Sequence, residues 1–109
     1  MSVQVWAPDG ECRAYEKLTA TTASLGFTAA KVEYKGRLAK AVLISVEVAD
    51  IRFTMDGTTP VVTATSNGTG HLLANGQSFV VQGTESIRTF RCINAVASSG
   101  SIVFCSFYY

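Results

Sequence analysis

The chain has 109 residues, of which 48% are hydrophobic and 16% are charged, and its net charge is +1. This length suits one domain with its own hydrophobic core. A charge close to zero, without any run of Lys or Arg, excludes the electrostatic footprint of nucleic-acid binding. No apolar stretch approaches the roughly 20 residues of a membrane span, so we expect neither nucleic acid nor a membrane as a partner.

The low fraction of charged residues has two interpretations. Soluble domains carry roughly 25% charged residues, so either part of this surface is shared with a partner or the chain forms a small, densely filled β-sandwich. The first nine residues show neither the basic nor the apolar region of a secretory signal. We therefore expect the protein to remain in the cytosol or to be assembled there.

Residues 1–17 are predicted to form an irregular N-terminal arm, and residues 18–109 to form the folded domain. A Pro-Asp-Gly turn lies at residues 8–10, and Trp6 is the arm's main apolar anchor. Either Trp6 packs on the domain or on a neighbouring subunit, or the arm is a frayed terminus.

Alternating apolar residues predict two successive strands in the middle of the chain. The run at residues 39–48 is typical of a central strand, with one face formed by Val42, Ile44, Val46 and Val48. The run at residues 49–55 places Ile51 and Phe53 on one face, and we predict that both are core residues. A turn at residues 56–60 ends this strand.

Turn signals at intervals of roughly 8 to 12 residues separate the remaining extended runs. Residues 29–34 form either one helical turn or the end of a strand. Residues 78–82 are predicted to pair back on residues 71–73 through an Asn-Gly turn. Residues 87–96 are predicted to form one long strand with Phe90 in the core. The pattern predicts an all-β domain, an antiparallel β-sandwich of the jelly-roll type.

The last strand, residues 101–109, is apolar on both faces. Such a strand is either central in the sandwich or covered by a neighbouring subunit, and we favour some burial between subunits. The candidate intersubunit contacts are Trp6, Phe107, Tyr108 and Tyr109.

No constellation of reactive side chains is recognisable in the sequence. His71 is the one histidine, and no Cys, Asp or Glu lies near it at the spacing of metal ligands. The three cysteines, Cys12, Cys92 and Cys105, fit neither a disulfide framework nor a zinc site, and we interpret them as small core residues. We predict no catalytic residue, no metal and no cofactor, and a protein that is not an enzyme.

Residues 51–60 read Ile-Arg-Phe-Thr-x-Asp-Gly-Thr-x-Pro, and residues 70–73 read Gly-His-x-Leu. With these segments, residues 18–109 resemble a group of small tailed-bacteriophage and prophage proteins of about this length. The loop at residues 61–69 is longer than in that pattern. A weaker likeness, over residues 50–60, is to the fibronectin-like β-sandwich domains appended to chitobiases and other glycoside hydrolases.

The phage resemblance implies a virion structural protein. It implies a capsid decoration (cement) protein that bridges coat subunits or, as a variant, a neck or tail accessory protein. Its partners would be the major capsid protein or other virion proteins, and copies of itself in a dimer or trimer. Its location would be the virion, assembled in the host bacterial cytoplasm. The weaker likeness implies a carbohydrate-binding module, which needs a planar row of aromatic residues or a polar groove.

Overall fold

The computed structural model describes residues 10–62, 68–96 and 100–109. Within these ranges the chain is mainly antiparallel strand with two short helices, which confirms the predicted all-β class. In chain order the elements are β1 (Cys12–Ala20), α1 (Ala29–Val32), β2 (Glu33–Tyr34), β3 (Arg37–Leu38), β4 (Ala41–Glu47), β5 (Ile51–Thr54), β6 (His71–Leu73), β7 (Ser78–Gln82), α2 (Thr84–Arg88), β8 (Arg91–Asn94) and β9 (Ser101–Tyr108).

The two main sheets contribute side chains to one shared core. A four-stranded sheet has the order β1-β9-β4-β7, and a three-stranded sheet has the order β6-β5-β8. The last strand, β9, is central in the larger sheet, because β1 pairs with one of its edges and β4 with the other. The small β2–β3 hairpin lies apart, and its turn has positive φ at Lys35 (51°) and Gly36 (79°), as two-residue hairpin turns of type I′ require.

Aromatic rings from both sheets and from the connecting segments fill the core. The Phe90 ring stacks on Phe27 with centroids 4.3 Å apart, and it lies 5.8 Å from the Phe53 ring. Ile51, Phe53 and Phe90 are all buried, so their predicted core positions are confirmed. Burying each such side chain contributes about 1.5 to 3 kcal/mol, so the rings dominate the stability of this small core.

The predicted N-terminal arm extends too far into the domain. Strand β1 begins at Cys12 and pairs with β9 along its whole length, so residues 12–17 belong to the sheet. Its inward positions are occupied by small or mixed residues such as Ala14 and Leu18, which made its alternation inconspicuous in the sequence. Trp6 and the rest of residues 1–9 lie outside the described residues.

Two further predictions about strands are wrong in part. Ile87 and Arg88, predicted to begin a strand over residues 87–96, instead end helix α2, which directs Ile87 into the core. The strand β8 covers only Arg91–Asn94. Strand β7 has the predicted bounds, but it pairs with β4 in the other sheet instead of with β6. Residues 29–34 combine both alternatives, since α1 leads directly into β2.

Val48 does not continue the buried face of β4. It follows the last residue of the strand, has φ 81° and is 62% exposed. A β-branched residue at positive φ is strained by about 1 to 3 kcal/mol. The turn is held by residues 75–76, because Gly76 N donates to Val46 O at 2.8 Å and the side-chain Nδ2 of Asn75 donates to Val48 O at 3.4 Å.

Candidate functional site

The two segments that carry the phage resemblance meet at one corner of the three-stranded sheet. Strand β5 pairs with β6 so that Phe53 lies opposite His71, and their ring centroids are 5.6 Å apart. Between them, Arg52 Nη1 donates a hydrogen bond to Gly70 O at 3.0 Å. The structure therefore joins the two segments by a strand ladder, a ring contact and a side-chain bond.

The turn after β5 is held by its own hydrogen bonds. Asp56 Oδ1 accepts from Thr58 N at 3.0 Å, and the Thr54 hydroxyl donates to Thr58 O. The bonds from Thr58 hold the pKa of the exposed Asp56 carboxyl below its usual value, and the charge of His71 adds a smaller effect in the same direction. Gly57 supplies a positive φ of 88°, and Pro60 is buried at the end of the turn.

Gly70 permits the close approach of the two segments. Its φ is 118°, and a Cβ at this position would lie 3.1 Å from Phe53 O and 3.2 Å from Arg52 Cβ. A larger residue would therefore push β6 away from β5. Gly70 and the hydrogen-bonded turn after β5 therefore have structural roles. These roles account for the residue types found in the two segments.

A shallow cleft of about 490 Å³ opens at this corner. It is lined by Thr54, Met55, Asp56, Thr58, Gly70 and His71. The cleft holds one imidazole, His71, and one carboxylate, Asp56, which accepts the hydrogen bond of the turn from Thr58 N. Across the described ranges, no group of three His, Cys, Asp or Glu side chains is arranged to hold a metal ion.

The structure divides the predicted intersubunit contacts into two groups. Phe107 is 0% exposed and Tyr109 is 4% exposed within one chain. The Phe107 ring meets the edge of Phe27 at 5.3 Å, and the Tyr109 hydroxyl donates to Lys31 O. Both side chains lie on the core side of the larger sheet, which corrects this part of the prediction. Phe107 is enclosed within the chain, and Tyr109 packs against α1 and β2 and exposes only the small part that lines a cleft beside the β2–β3 hairpin.

Tyr108 remains available, because it lies on the opposite face of β9. The outer face of the four-stranded sheet, on which it sits, also carries Ile102 and Phe104, both half-buried. Strand register adds further apolar neighbours to this face, since Leu43 on β4 lies opposite Val80 on β7. The exposed Tyr15 extends the face onto β1.

A cavity of about 290 Å³ opens at the β4–β7 side of the larger sheet. Leu43, Ser78, Phe79 and Val80 line it. The outer face also carries Lys17, Ser45 and Ser106. An antiparallel sheet normally presents a polar face to solvent, so the apolar residues of this mixed face make it the better candidate for contact with a partner. Leu43 and Val80 were absent from the predicted contacts. The signal for Leu43 was its apolar side chain on the second face of the run at residues 39–48.

The buried cysteines have no chemical role at this surface. Burial raises the pKa of the Cys92 thiol to about 12 and that of Cys105 still further above its usual value. Since the thiolate is the reactive form, both act as small core residues, as the sequence indicated. Cys12 is exposed and is not a core residue, which corrects that prediction.

Tyr15 and Tyr34, which the carbohydrate-binding interpretation considered, do not lie in one planar row. Tyr15 lies on β1 in the larger sheet, whereas Tyr34 lies in the β2–β3 hairpin and packs 5.7 Å from Tyr109. The aromatic side chains that share one face are Tyr15, Phe104 and Tyr108, on the outer face of the larger sheet.

Searches among protein-family models, curated proteins and solved structures found no match to this chain. No helix in the described part of the chain is long and apolar enough to cross a membrane.

Proposed function

We propose that the chain is a non-enzymatic structural protein of a tailed-bacteriophage virion, a capsid decoration protein that bridges coat subunits. The observation that carries the proposal is the outer face of the four-stranded sheet, with Phe104 and Tyr108 on its central strand. The resemblance of residues 51–60 and 70–73 to small phage proteins supports the same conclusion. A position at the neck or tail is the variant of this proposal.

The residues behind the resemblance favour a structural role over catalysis. Arg52, Asp56 and Gly70 each hold the β5–β6 corner together, through a hydrogen bond or a close backbone approach. These contacts give each of the three residues a role in the fold. Proteins that share Arg52, Asp56 and Gly70 would share this fold. The residues that carry out their function would lie elsewhere on the surface.

The mechanism of a decoration protein is burial of surface. Genome pressure loads the seams between coat subunits, and a small protein that covers a seam adds interface area. A specific contact buries about 800 Å² on each partner, and the centre of such an interface is more apolar than its rim. The outer face supplies apolar side chains on its central strands, with the small polar residues Ser45 and Ser106 between them.

Reconstitution on particles tests this proposal. Particles would be prepared from the encoding phage or prophage with this gene deleted, and purified protein would be added back. We expect the wild-type chain to sediment with the heads and to raise their resistance to heat. Phe104→Glu, which places a charge on the outer face, should abolish sedimentation with the heads.

The matched control is Leu72→Glu. Leu72 is an exposed apolar residue on β6, in the other sheet, so the added charge should leave binding intact. Circular dichroism would establish that both variants are folded. Sedimentation with tails instead of heads would favour the neck or tail variant, and failure to bind any part of the particle would contradict the proposal.

A further inference from the structure

The turn between β4 and β5 presents an apolar side chain between carboxylates. Val48 is the exposed, strained residue of this turn, and Glu47 and Asp50 flank it. Glu47 is exposed, while Asp50 Oδ1 accepts from Asn75 N at 2.7 Å. The neighbouring described segments at this end, residues 21–24, 74–77 and 95–96, contain no Lys or Arg. This end of the molecule is therefore acidic around an apolar centre.

A cleft with the opposite character lies beside the β2–β3 hairpin. It has a volume of about 210 Å³ and is lined by Arg13, Tyr34, Lys35, Arg37 and Tyr109. Lys35 Nζ lies 5.4 Å from the centre of the Tyr34 ring. The cleft is therefore aromatic at its base and cationic around its rim.

The positive charge of this cleft is only partly compensated. Glu11 pairs with Arg13 at 2.7 Å, and both side chains are largely exposed. Glu33, the other carboxylate of the hairpin region, lines a separate groove with Leu38. Lys35 and Arg37 thus remain to attract an acidic surface.

The acidic turn and the basic cleft lie at opposite ends of the same strands. Ala41, at the start of β4, pairs with Tyr108 next to the cleft, whereas Glu47, at its end, pairs with Ile102. A seven-residue strand is about 23 Å long. A single copy therefore cannot bring its own turn into its own cleft.

We propose that the β4–β5 turn of one copy docks into the basic cleft of the next copy, head to tail. The exposed Val48 side chain would pack against the Tyr34 ring, with Glu47 near Arg37. Two different surfaces meet in such a heterologous contact, and it closes into a ring if the rotation between copies permits, as in a trimer. The inference stands independently of the proposed function, because it rests on the two surfaces alone.

Complementary charge-reversal variants test this arrangement. Arg37→Glu reverses a charge of the cleft, and Glu47→Lys reverses a charge of the turn. Each variant alone should associate about tenfold or more weakly than the wild type, because exposed charges then repel where they attracted. An equal mixture should recover association between the two variants, because the altered cleft of one fits the altered turn of the other. The recovered species should be pairs, open chains and even-numbered rings, since two variants cannot alternate around a ring of three.

The measurement is sedimentation equilibrium over a range of protein concentrations, at low and at high salt. Exposed ion pairs are weak and are screened by salt, so wild-type association should be strongest at low ionic strength. Lys17→Glu is the control, because Lys17 is exposed on β1 outside both surfaces, and it should associate like the wild type. Circular dichroism would show that every variant is folded.

Three results would overturn the inference. The first is a wild-type protein that stays monomeric at all concentrations in low salt. The second is undiminished association of either single variant. The third is a mixture that associates no better than its components. None of these results bears on attachment to particles, which is measured separately.

Discussion

Substitution of Phe53 by alanine should remove a large part of the stability of this fold. The side chain is 3% exposed, and its ring contacts those of His71, Phe79 and Phe90 at centroid distances of 5.6, 5.1 and 5.8 Å. Replacing a buried Phe by Ala costs about 3 to 5 kcal/mol. The three ring contacts place Phe53→Ala in the upper half of that range, since each aromatic pair adds about 0.5 to 1.5 kcal/mol.

That loss is large for a domain of this size, whose free energy of unfolding is about 5 to 15 kcal/mol. Each kcal/mol shifts the midpoint of thermal unfolding by about 4 to 8 °C in domains of up to 100 residues, so a shift of about 15 °C or more is expected. Urea titration followed by circular dichroism measures the change. Phe53→Leu, which leaves a smaller cavity, should cost less and remain folded.

Leu72→Ala is the control for this measurement. Leu72 lies in the strand that pairs with β5, but it is 53% exposed, so its truncation should change the free energy of unfolding by less than about 0.5 kcal/mol. Equal urea midpoints for Phe53→Leu, Leu72→Ala and the wild type would refute the placement of Phe53 in the core.

Other predictions concern the backbone and the titrating groups. Val48→Gly should raise the free energy of unfolding by about 1 kcal/mol in urea titration, because glycine adopts the positive φ without strain. A free energy of unfolding below that of the wild type would contradict the strain at Val48. Gly70→Ala should lower it by about 1 to 3 kcal/mol, since the new Cβ crowds Phe53 O; an unchanged midpoint would refute this. Burial keeps the Cys92 thiol protonated in the folded state, so stability should fall as the pH rises from about 9 towards 12, and less so in Cys92→Ala. The pKa of Asp56 in the folded state is lower than its ordinary value of 3.8, so the ionised carboxyl stabilises the fold at pH values above 3.8. This contribution should be lost as the pH falls below 3.8. Chemical denaturation of the wild type and of Asp56→Asn over that pH range measures the loss.

Local patterns predicted the elements whose conformation depends on their own residues. Strand β7 has the predicted bounds, and the period of two around Ile51 and Phe53 identified both as core residues. The pairing of β7 with β4 was not predictable from the nearby Asn-Gly turn, because it depends on how the two sheets pack. Helix α2 was missed because its five residues are too few to show a helical period.

The candidate surface was predictable only in part, because it also depends on which strands pair with one another. A strand that is apolar on both faces fits a central strand as well as an interface, and the sequence did not show that β1 and β4 flank β9. This arrangement places Phe107 inside the core and leaves Tyr108 outside. Deletion of residues 107–109 should accordingly unfold the domain, because it removes two core side chains.

The protein content of purified particles tests the central claim most directly. Virions would be isolated on a density gradient from a host that carries the encoding phage or prophage, and the chain would be quantified against the major capsid protein by mass spectrometry. The account predicts that the chain is present in a fixed ratio to the capsid protein and is retained on repeated banding. Its absence from intact particles, with the chain found in the surrounding lysate, would contradict the account.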